Sequence, residues 1–422
     1  MVGRRAVLGA GLALGAGAVL AGCTDDDQKP AQPEPFDPQD WHSVRGQFAL
    51  DPGLAHFGAF MLAAHPAPVR AAIDRHRASL DADTAAYLDQ ATELEEKART
   101  AAAGGLGPGV DPSQIALTDS TTMGMGLLCA GIRLTPGQDV LTTEHDFFGT
   151  YDALRKLTAR TGAPVRRARL YDDPATADAA DIVTRLKAAI RPRTRLVVIT
   201  WVHSSTGVRL PVKAIADMLA TVNASRAAND RALLFVDGVH GFGAVDAGVN
   251  DLGCDFLTTG THKWLFGPRG TGLLWGKAWD AVAPLIPSFS VPDGPGRLAT
   301  PGGYHSFEHR WAVTEAFEFQ KAIGRDRIAA RITEQAIRLK DGLAGIGTVT
   351  LVTPMDPELS AGLVMCSLGS LSPHEAVQRL RDEHKVVASV TPYDNPYLRF
   401  GPSIVTTPEQ VDQVVKAVAA LA

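Results

Sequence analysis

The chain has 422 residues, 45% of them hydrophobic and 21% charged, which is the composition of a globular protein with a large core or two joined domains. Lys and Arg number 41 against 46 Asp and Glu, and the net charge of −5 argues against a nucleic-acid partner, which would require a basic surface. The four cysteines include no C-x-x-C pair, so neither a disulfide framework nor a thiolate zinc site is predicted.

The first residues form a segment of a different kind. Arg4 and Arg5 precede an apolar run, rich in Gly and Ala, that ends at Cys23. This order predicts an export signal over residues 1–22, since so short a run is near the lower limit for a membrane span; an uncleaved membrane anchor is the alternative. The paired arginines resemble a twin-arginine signal, and the sequence LAGC resembles a bacterial lipobox. Both imply a protein exported to the outer face of the bacterial cytoplasmic membrane and anchored there by a lipid on Cys23.

The remainder of the chain changes character twice. Residues 23–40, rich in Pro and Asp and without apolar periodicity, are predicted to form a flexible tether. Residues 41–300 alternate β-rich runs with helical patterns, which predicts an α/β domain whose mainly parallel, seven-stranded sheet is covered by helices and binds ligands beyond the carboxyl ends of its strands. Residues 301–422 combine longer helices with isolated strands, which predicts a smaller α+β domain. The seven predicted strands cover residues 115–118, 139–143, 165–170, 196–200, 233–237, 255–259 and 272–275.

Two polar residues follow neighbouring apolar segments of the predicted sheet. Asp237 ends an apolar run, where burial makes a carboxylate costly unless it meets a cation, although an Asp-Gly pair also fits an ordinary turn. Lys263 follows the next apolar segment and precedes three large apolar residues, an unusual setting for a surface lysine. A cofactor with a protonated ring nitrogen and a carbonyl group accounts for both, because the carboxylate holds the nitrogen and the amine bonds to the carbonyl carbon. Pyridoxal 5'-phosphate (PLP) fits this description.

PLP also requires a phosphate site, for which helix N-termini supply free N–H groups. Ser120, Thr121 and Thr122 provide hydroxyl groups between a predicted strand and an apolar helix. The same hydroxyl groups suit ordinary helix capping equally well, and the sequence leaves both interpretations open.

The order of these motifs resembles the class V aminotransferase family of fold-type I PLP enzymes, in particular its isopenicillin N epimerase-like branch, from about Leu50 to the C-terminus. The resemblance implies that Lys263 binds PLP covalently and that Asp237 pairs with the pyridine nitrogen. It also implies an amino acid or small amine substrate, an epimerase or aminotransferase reaction with a C–S or β-eliminating lyase as the alternative, and a homodimer that shares its active sites. The further roles that it implies are PLP binding by Thr121, Thr122, His145 (stacked on the ring), His240 (near the ring oxygen) and His262, and substrate binding by His203, Ser204 and Arg399, the last through the carboxylate.

The sequence departs from the family pattern at three places. Residues 386–398 contain no cysteine before Arg399, where desulfurases carry one, and this disfavours persulfide chemistry. Tyr304 follows Gly303 where the family has a Gly-Thr pair from the neighbouring subunit. Gly260 replaces the usual polar residue three positions before the lysine. The last two departures both concern the phosphate site.

A competing pattern occurs at residues 305–309, where HSFEH matches the H-x-x-E-H sequence of inverted zinc proteases. No third ligand is evident downstream, and patterns of five residues often match by chance. An ordinary helix start is therefore the preferred interpretation, and no metal site is predicted. A solute-binding lipoprotein that kept the fold without the reaction is a further alternative, and it would bind no coenzyme covalently.

Overall fold

The computed structural model describes residues 36–288, 294–369 and 371–422. The predicted export signal, the predicted lipidation site Cys23 and most of the predicted tether lie outside these described residues. Within the described ranges, no helix is long and apolar enough to cross a membrane.

The strands found in the described residues overlap all seven strands predicted for the first sheet. Those predicted at 115–118, 139–143 and 233–237 have the predicted bounds. The strands are β1 (Ala55–His56), β2 (Ile115–Thr118), β3 (Asp139–Thr143), β4 (Val165–Ala168), β5 (Thr194–Thr200), β6 (Leu233–Asp237), β7 (Phe256–Gly260), β8 (Gly272–Gly276), β9 (Val349–Leu351), β10 (Val364–Leu368), β11 (Val386–Val387), β12 (Ser389–Val390) and β13 (Leu398–Phe400).

The central sheet has seven strands in the order β2-β8-β7-β6-β5-β3-β4. Neighbouring strands from β7 to β4 are parallel, whereas β8 runs antiparallel to both β2 and β7. The predicted α/β fold with a mainly parallel seven-stranded sheet is therefore confirmed. Because β2 has the same direction as the parallel strands, the carboxyl ends of six strands meet at one edge of the sheet.

Helices cover both faces of this sheet. They are α1 (Trp41–Gly46), α2 (Ala67–Ala82), α3 (Thr84–Leu88), α4 (Ala91–Leu106), α5 (Thr121–Gly131), α6 (Phe148–Thr161), α7 (Ala179–Ala189), α8 (Val212–Asn223), α9 (Val249–Leu252), α10 (Pro295–Ala299), α11 (Phe307–Trp311), α12 (Val313–Ile323), α13 (Arg325–Ala344), α14 (Pro373–His384) and α15 (Pro408–Leu421). Alternate residues of β5 face opposite sides: Leu196 and Val198 pack into a core with α5 and α6, and Val197 and Ile199 into a core with α7 and α8. Burial on both faces explains why β5 and β6 each contain a continuous run of four apolar residues.

A four-stranded antiparallel sheet of order β12-β13-β10-β9 lies in the C-terminal part of the chain. Its core is shared with α13, α14 and α15. The N-terminal strand β1 pairs in parallel with β11, and Phe57, directly after β1, is fully buried in this same core. The Gly401 N–H donates to the Phe57 carbonyl at 2.8 Å. This pairing brings the segment that follows Phe57 beside the end of β13.

Candidate active site

A cavity of about 290 Å³ lies beyond the carboxyl ends of the central strands, where parallel sheets bind their ligands. A larger groove of about 1160 Å³ lies between α4 and α12, but neither histidine nor cysteine occurs among its described lining residues, so the smaller cavity is the candidate for chemistry. The residues that line the smaller cavity are Phe60, Met61, Ser120, Thr121, Thr122, Met125, Phe147, Gly149, Thr150, Thr200, Ser204, Asp237, Val239, His240, His262, Lys263, Pro392 and Arg399.

Asp237 is the last residue of β6 and is only 4% exposed. Its carboxylate accepts a hydrogen bond from the Val239 N–H at 3.1 Å. Burial raises the pKa of the Asp237 carboxyl to about 6, although the Val239 N–H and the positive charge of Lys263 oppose the rise. A buried carboxylate of this kind favours a positively charged ligand group beside it.

Lys263 lies in the turn between β7 and β8 and lines the same cavity as Asp237. The Phe266 N–H closes this turn by donating to the Lys263 carbonyl at 2.9 Å. Phe266 has a φ of 58°, in the left-handed region that bulky residues rarely adopt, and its buried ring packs edge-on against Phe48 with centroids 5.0 Å apart. Burial lowers the pKa of the Lys263 ammonium to about 8, although Asp237 opposes the change. Lys263 therefore becomes an uncharged, nucleophilic amine at mildly alkaline pH.

The His240 imidazole is neutral, because burial and the nearby charges of Lys263 and Arg399 lower its pKa well below the usual value. Trp264 Nε1 donates to His240 Nδ1 at 3.3 Å, so the proton of the neutral ring is on Nε2. Since His240 lines the cavity, it is able to offer a ligand one hydrogen-bond donor.

The N-terminus of α5 opens onto the cavity, and its three hydroxyl-bearing residues have different surroundings. Ser120 caps the helix, because its hydroxyl accepts from the Met123 N–H at 3.1 Å. Thr121 and Thr122 are the first two helical residues, whose N–H groups have no acceptor within the helix, and both line the cavity. Free N–H groups and the helix dipole make this end of the cavity suitable for a phosphate group.

His262 lines the cavity and donates from Nδ1 to the Thr271 carbonyl at 3.1 Å. Burial lowers its pKa, so the neutral ring carries an unprotonated Nε2. A phosphate group beside it would favour uptake of a second proton, and Nε2 would then donate to that anion. Gly260, which departs from the family pattern, leaves space for this ring, since a Cβ added to Gly260 would lie 2.8 Å from His262 Cε1. An imidazole group therefore occupies the space that a side chain at position 260 would need.

Arg399, on β13, is held by three hydrogen bonds. Its guanidinium group donates to the Ser389 hydroxyl at 3.0 Å and to the carbonyl oxygens of Ser204 at 3.3 Å and Val390 at 3.5 Å, and it lies over the ring of Phe60 at 4.6 Å. Burial lowers the pKa of Arg399 to about 10, so the group stays charged at neutral pH. Among the described residues three of its five N–H groups have protein acceptors, which leaves two for a ligand carboxylate.

Ser204 lines the cavity and the adjacent His203 does not. The Ser204 hydroxyl forms a hydrogen bond with the Tyr393 hydroxyl. His203 is fully buried, and its Nδ1 bonds to the Tyr171 hydroxyl at 2.8 Å. Packing against Tyr171 places this ring outside the described cavity lining, and the contact between His203 and a substrate stays a prediction.

The stacking of His145 on the cofactor also stays a prediction, and the structure places this residue against Tyr171. Its ring stacks on Tyr171, with centroids 3.8 Å apart and an angle of 11° between the planes, and its Nε2 accepts from the Leu170 N–H at 3.3 Å. His145 does not line the cavity, whereas Phe147, two residues later, does. The aromatic side chain that the turn after β3 presents to the cavity is thus Phe147.

The segment that suggested either a subunit contact or a zinc site lies apart from the cavity lining. Tyr304 is 82% exposed. His305 Nδ1 bonds to the Gly303 carbonyl at 3.0 Å, and His309 Nδ1 bonds to the Arg269 carbonyl at 3.1 Å. In the described part of the chain, no group of three or more His, Cys, Asp or Glu residues is arranged to hold a metal ion.

Sequence reasoning missed three aromatic residues of the site, of which Phe60 lines the cavity and lies under Arg399. Phe147 lines the cavity, and Tyr393 binds Ser204 from the loop that precedes β13. A large apolar residue in a turn at a strand end was the available signal for Phe147. Tyr393 had no comparable signal, because its role depends on a hydroxyl group that is distant in sequence.

A mainly parallel, helix-covered sheet with a buried acid and a lysine at the carboxyl ends of neighbouring strands defines the class of fold-type I PLP-dependent enzymes. The sequence profile of the class-V aminotransferases matches residues 72–390, and the chain belongs to that family. The resemblance noted in the sequence is therefore confirmed.

Individual relatives cover most of the chain. The isopenicillin N epimerase of Streptomyces clavuligerus is 29% identical over 407 residues, which are 90% of this chain and 98% of that protein. A cysteine desulfurase of Pectobacterium carotovorum is 23% identical over 303 residues, 67% of this chain and 70% of that protein. Among solved structures, a variant of C-DES with glycine covalently linked to its PLP cofactor has a TM-score of 0.80 at 21% identity and covers 89% of this chain and 98% of its own. The structural likeness shows a shared fold.

Proposed function

We propose that this PLP-dependent enzyme acts at the α-carbon of an amino acid, as an epimerase or an aminotransferase. The observation that carries the proposal is that Lys263, Asp237 and Arg399 all line one cavity. The enzyme class follows from family membership. The 29% identity to an isopenicillin N epimerase, over nearly the whole of both chains, supports the epimerase type.

The residues of the cavity fit PLP group by group. Lys263 supplies an amine of lowered pKa for the carbonyl group, the buried carboxylate of Asp237 suits a protonated ring nitrogen, and the N-terminus of α5 with His262 suits the phosphate. When bound, PLP supplies a conjugated ring that stabilises negative charge at the substrate α-carbon. The ionised Asp237 would keep the ring nitrogen protonated. Neutral His240 would donate a hydrogen bond from Nε2 to the ring oxygen.

The chain also supplies groups for the substrate itself. The two remaining N–H groups of Arg399 bind the substrate carboxylate as a pair. After the substrate amine replaces Lys263 on the coenzyme, the freed Nζ would take a proton from the α-carbon, and its pKa of about 8 suits a general base near neutral pH. Return of a proton to the opposite face of the α-carbon gives the epimer. Transfer of the amino group to a 2-oxo acid gives the aminotransferase outcome.

A C–S or β-eliminating lyase is the second candidate, and the identity to a cysteine desulfurase favours it. The desulfurase version of this chemistry needs a thiol that accepts sulfur. The cysteines of the described residues are Cys129, Cys254 and Cys366; all three are buried, and burial raises the pKa of each thiol to about 12. A lyase built on this site would therefore release its sulfur product directly, without a persulfide on the protein.

The test begins with the purified protein and added PLP. Covalent attachment is fixed with borohydride, and the modified peptide is located by mass spectrometry. We expect the modification on Lys263, accompanied by visible absorbance, and the loss of both in Lys263→Ala. A colourless protein that acquires no covalent coenzyme would overturn the proposal.

The reaction type is resolved with L- and D-amino acids in D₂O. Inversion together with α-deuterium incorporation identifies an epimerase. Formation of a 2-oxo acid that depends on a second 2-oxo acid as amino acceptor identifies an aminotransferase. Release of sulfide, ammonia and a 2-oxo acid from cysteine identifies the lyase. If none of these occurs in a protein that holds PLP on Lys263, the proposed reaction at the α-carbon is wrong.

The proposal includes the assembly and location of the enzyme. The family resemblance supports a homodimer, which sedimentation analysis tests directly. The signal-like residues 1–22 support twin-arginine export and lipidation of Cys23 at the outer face of the bacterial cytoplasmic membrane. Full-length protein expressed in a bacterium is expected to partition into the membrane fraction with a lipid-sized mass increase at Cys23, and Cys23→Ser is expected to release it. A soluble wild-type protein that keeps its signal residues would contradict the export and anchoring proposal.

A further inference from the structure

A second buried carboxylate lies close to the candidate active site, and the proposed function gives it no role. Asp146 follows β3 in the turn that leads to α6, and it is only 1% exposed. The next residue, Phe147, lines the cavity, whereas Asp146 lies behind the lining. Because burying a carboxylate is costly, the groups around it indicate what it contributes.

Four hydrogen bonds hold the Asp146 carboxylate. Its Oδ2 accepts from the hydroxyls of Thr142 at 2.6 Å and Thr143 at 2.8 Å and from the Thr143 N–H at 2.8 Å, and its Oδ1 accepts from the Thr200 N–H at 2.8 Å. All four partners are donors, which suits the ionised carboxylate. None of the four is a cation, so these contacts fix the negative charge in place without neutralising it.

This charge lies next to the strand that adjoins Asp237. Thr200 ends β5, and its Cα is the register partner of Asp237 at the end of β6. Neighbouring strands are about 4.8 Å apart, so Asp146, which accepts from the Thr200 N–H, lies within roughly 10 Å of Asp237. Two carboxylates therefore lie near the same edge of the sheet, one in the cavity lining and one behind it.

The two carboxylates act on each other through their charges. Burial raises the pKa of the Asp237 carboxyl to about 6, and the charge of Asp146 adds to the rise. A cation bound beside Asp237 removes this repulsion, because both carboxylates attract it. Lys263 and Arg399, the lysine and the arginine of the described lining, are assigned to the coenzyme carbonyl and the substrate carboxylate. The cation that remains is the protonated ring nitrogen of PLP.

We infer that Asp146 is a positioning residue of the PLP site, whose buried negative charge acts with that of Asp237 to favour the protonated form of the ring nitrogen. The inference rests on the proposed function, because it takes PLP as the ligand and Asp237 as the partner of its nitrogen. Asp146 acts from behind Thr200 and does not touch the coenzyme. Its four hydrogen-bond donors belong to its own chain, so this role does not depend on residues of a partner subunit.

The test compares PLP with its carbocyclic analogue, in which a C–H group replaces the ring nitrogen. Both compounds offer Lys263 the same aldehyde and carry the same phosphate group, so the ratio of their affinities reports on the nitrogen alone. Titration calorimetry of the coenzyme-free protein measures both affinities. We expect Asp146→Asn to lower the affinity for PLP relative to the analogue by about fivefold. A role limited to holding the turn would lower both affinities equally, and an unchanged ratio overturns the inference.

Two control variants separate the charge of Asp146 from its hydrogen bonds. Asp146→Glu keeps the charge, so the affinity ratio should stay at the wild-type value while both affinities fall. Asp255→Asn is the matched control, because the Asp255 carboxylate also accepts a strand N–H, that of Leu234 at 2.8 Å, but precedes β7 at the opposite edge of the sheet. A fall in the ratio in Asp255→Asn as large as that in Asp146→Asn overturns the inference.

Asp237→Ala tests the inference without a change at Asp146. A preference for PLP over the analogue of about twofold or more should persist, because the charge of Asp146 remains. No preference in Asp237→Ala overturns the inference, and this variant carries the test if melting curves show that Asp146→Asn does not fold. A wild-type protein that binds neither aldehyde on Lys263 refutes the proposed function. Binding of both on Lys263, with a ratio that Asp146→Asn leaves unchanged, refutes only the role of Asp146.

Discussion

In the described part of the chain, Lys263 and Lys340 both have a lowered pKa, and their surroundings differ. Burial lowers the pKa of both Lys263, in the cavity of the large sheet, and Lys340, in the C-terminal core, to about 8. The Lys340 ammonium donates three hydrogen bonds, to the carbonyl oxygens of Pro354 at 2.7 Å and Met355 at 2.9 Å and to the Ser360 hydroxyl at 2.8 Å. Among the described residues the Lys263 ammonium donates none, and its opposing charge, Asp237, acts without a direct hydrogen bond.

This difference separates a structural group from a reactive one. An ammonium group with three fixed acceptors holds a loop in place and has no donor left for a ligand. A lysine in a cavity, beside a carboxylate but without fixed acceptors, is free to exchange its proton and to bond to a ligand. A lowered pKa therefore identifies a functional lysine only in combination with the hydrogen bonds and the cavity around it.

The largest effect is expected at Lys263. Lys263→Ala should lower kcat by about a thousandfold or more and remove covalent coenzyme, because no second amine adjoins Asp237 in the lining. The free energy of unfolding should change by less than about 1 kcal/mol, since no hydrogen bond of the ammonium group is lost. Steady-state kinetics and urea unfolding measure both. If Lys263→Ala carried the coenzyme on another lysine and kept its kcat, Lys263 would not be the reactive lysine.

Lys340 should show the opposite behaviour. Lys340→Met should lower the free energy of unfolding by about 3 kcal/mol, because three oxygen atoms, two of them in buried residues, lose their donor together. Coenzyme attachment and KM should stay at wild-type values. Urea unfolding gives the first quantity, and the exposed Lys416, on the neighbouring α15, provides the control variant Lys416→Met. A loss of coenzyme binding without a loss of stability would show that Lys340 is not structural.

The pH dependence of Lys263 follows from its lowered pKa. In coenzyme-free protein, acylation of Lys263 by acetic anhydride should rise with pH and reach half its maximum near pH 8, because the uncharged amine is the reactive form. Asp237→Asn should move this midpoint to lower pH, since the charge of Asp237 raises the Lys263 pKa. Peptide mass spectrometry measures the label, with the exposed Lys156 as the internal reference for reagent decay. A midpoint that moves upward in Asp237→Asn would refute the coupling.

The smallest effect is expected at Gly260. Gly260→Ala places a Cβ 2.8 Å from the His262 ring, which must move, and the affinity for PLP should fall by about tenfold as one polar group of the phosphate site is displaced. Gly126→Ala, in α5, is the control, because a Cβ there meets no atom within 4 Å. Fluorescence titration of the coenzyme-free protein compares the two variants. Equal affinities would mean that His262 has no part in phosphate binding.

Much of the fold was predictable because its signals are local. The strand at 233–237 is a short apolar run that ends in a polar residue, and burial on both faces requires that pattern. The strand predicted at 165–170 ends earlier, at Ala168, and the one predicted at 196–200 begins earlier, at Thr194. Strand order depends on contacts distant in sequence, so the antiparallel position of β8 between β2 and β7 was not visible in any run of residues.

The candidate site also combines residues with a local sequence signal and residues whose positions depend on distant contacts. Lys263, Asp237, Thr121 and Thr122 were recognisable because each lies at the end of a strand or shortly after it, and strand ends in a parallel sheet meet at one edge. The outcome for His145 depended on stacking against Tyr171, a contact that no local pattern encodes.

The sequence by itself determined which reactive residues lie at strand ends. The direction of the strand and the change from apolar to polar residues fix that position, whatever residues pack around it. Three features depended instead on the folded chain: the direction of the His203 ring, the pairing of Ser204 with Tyr393, and the contrast between Lys263 and Lys340. Each arises from packing between segments far apart in the chain, where side-chain geometry and hydrogen-bond partners are fixed only once the cores have formed.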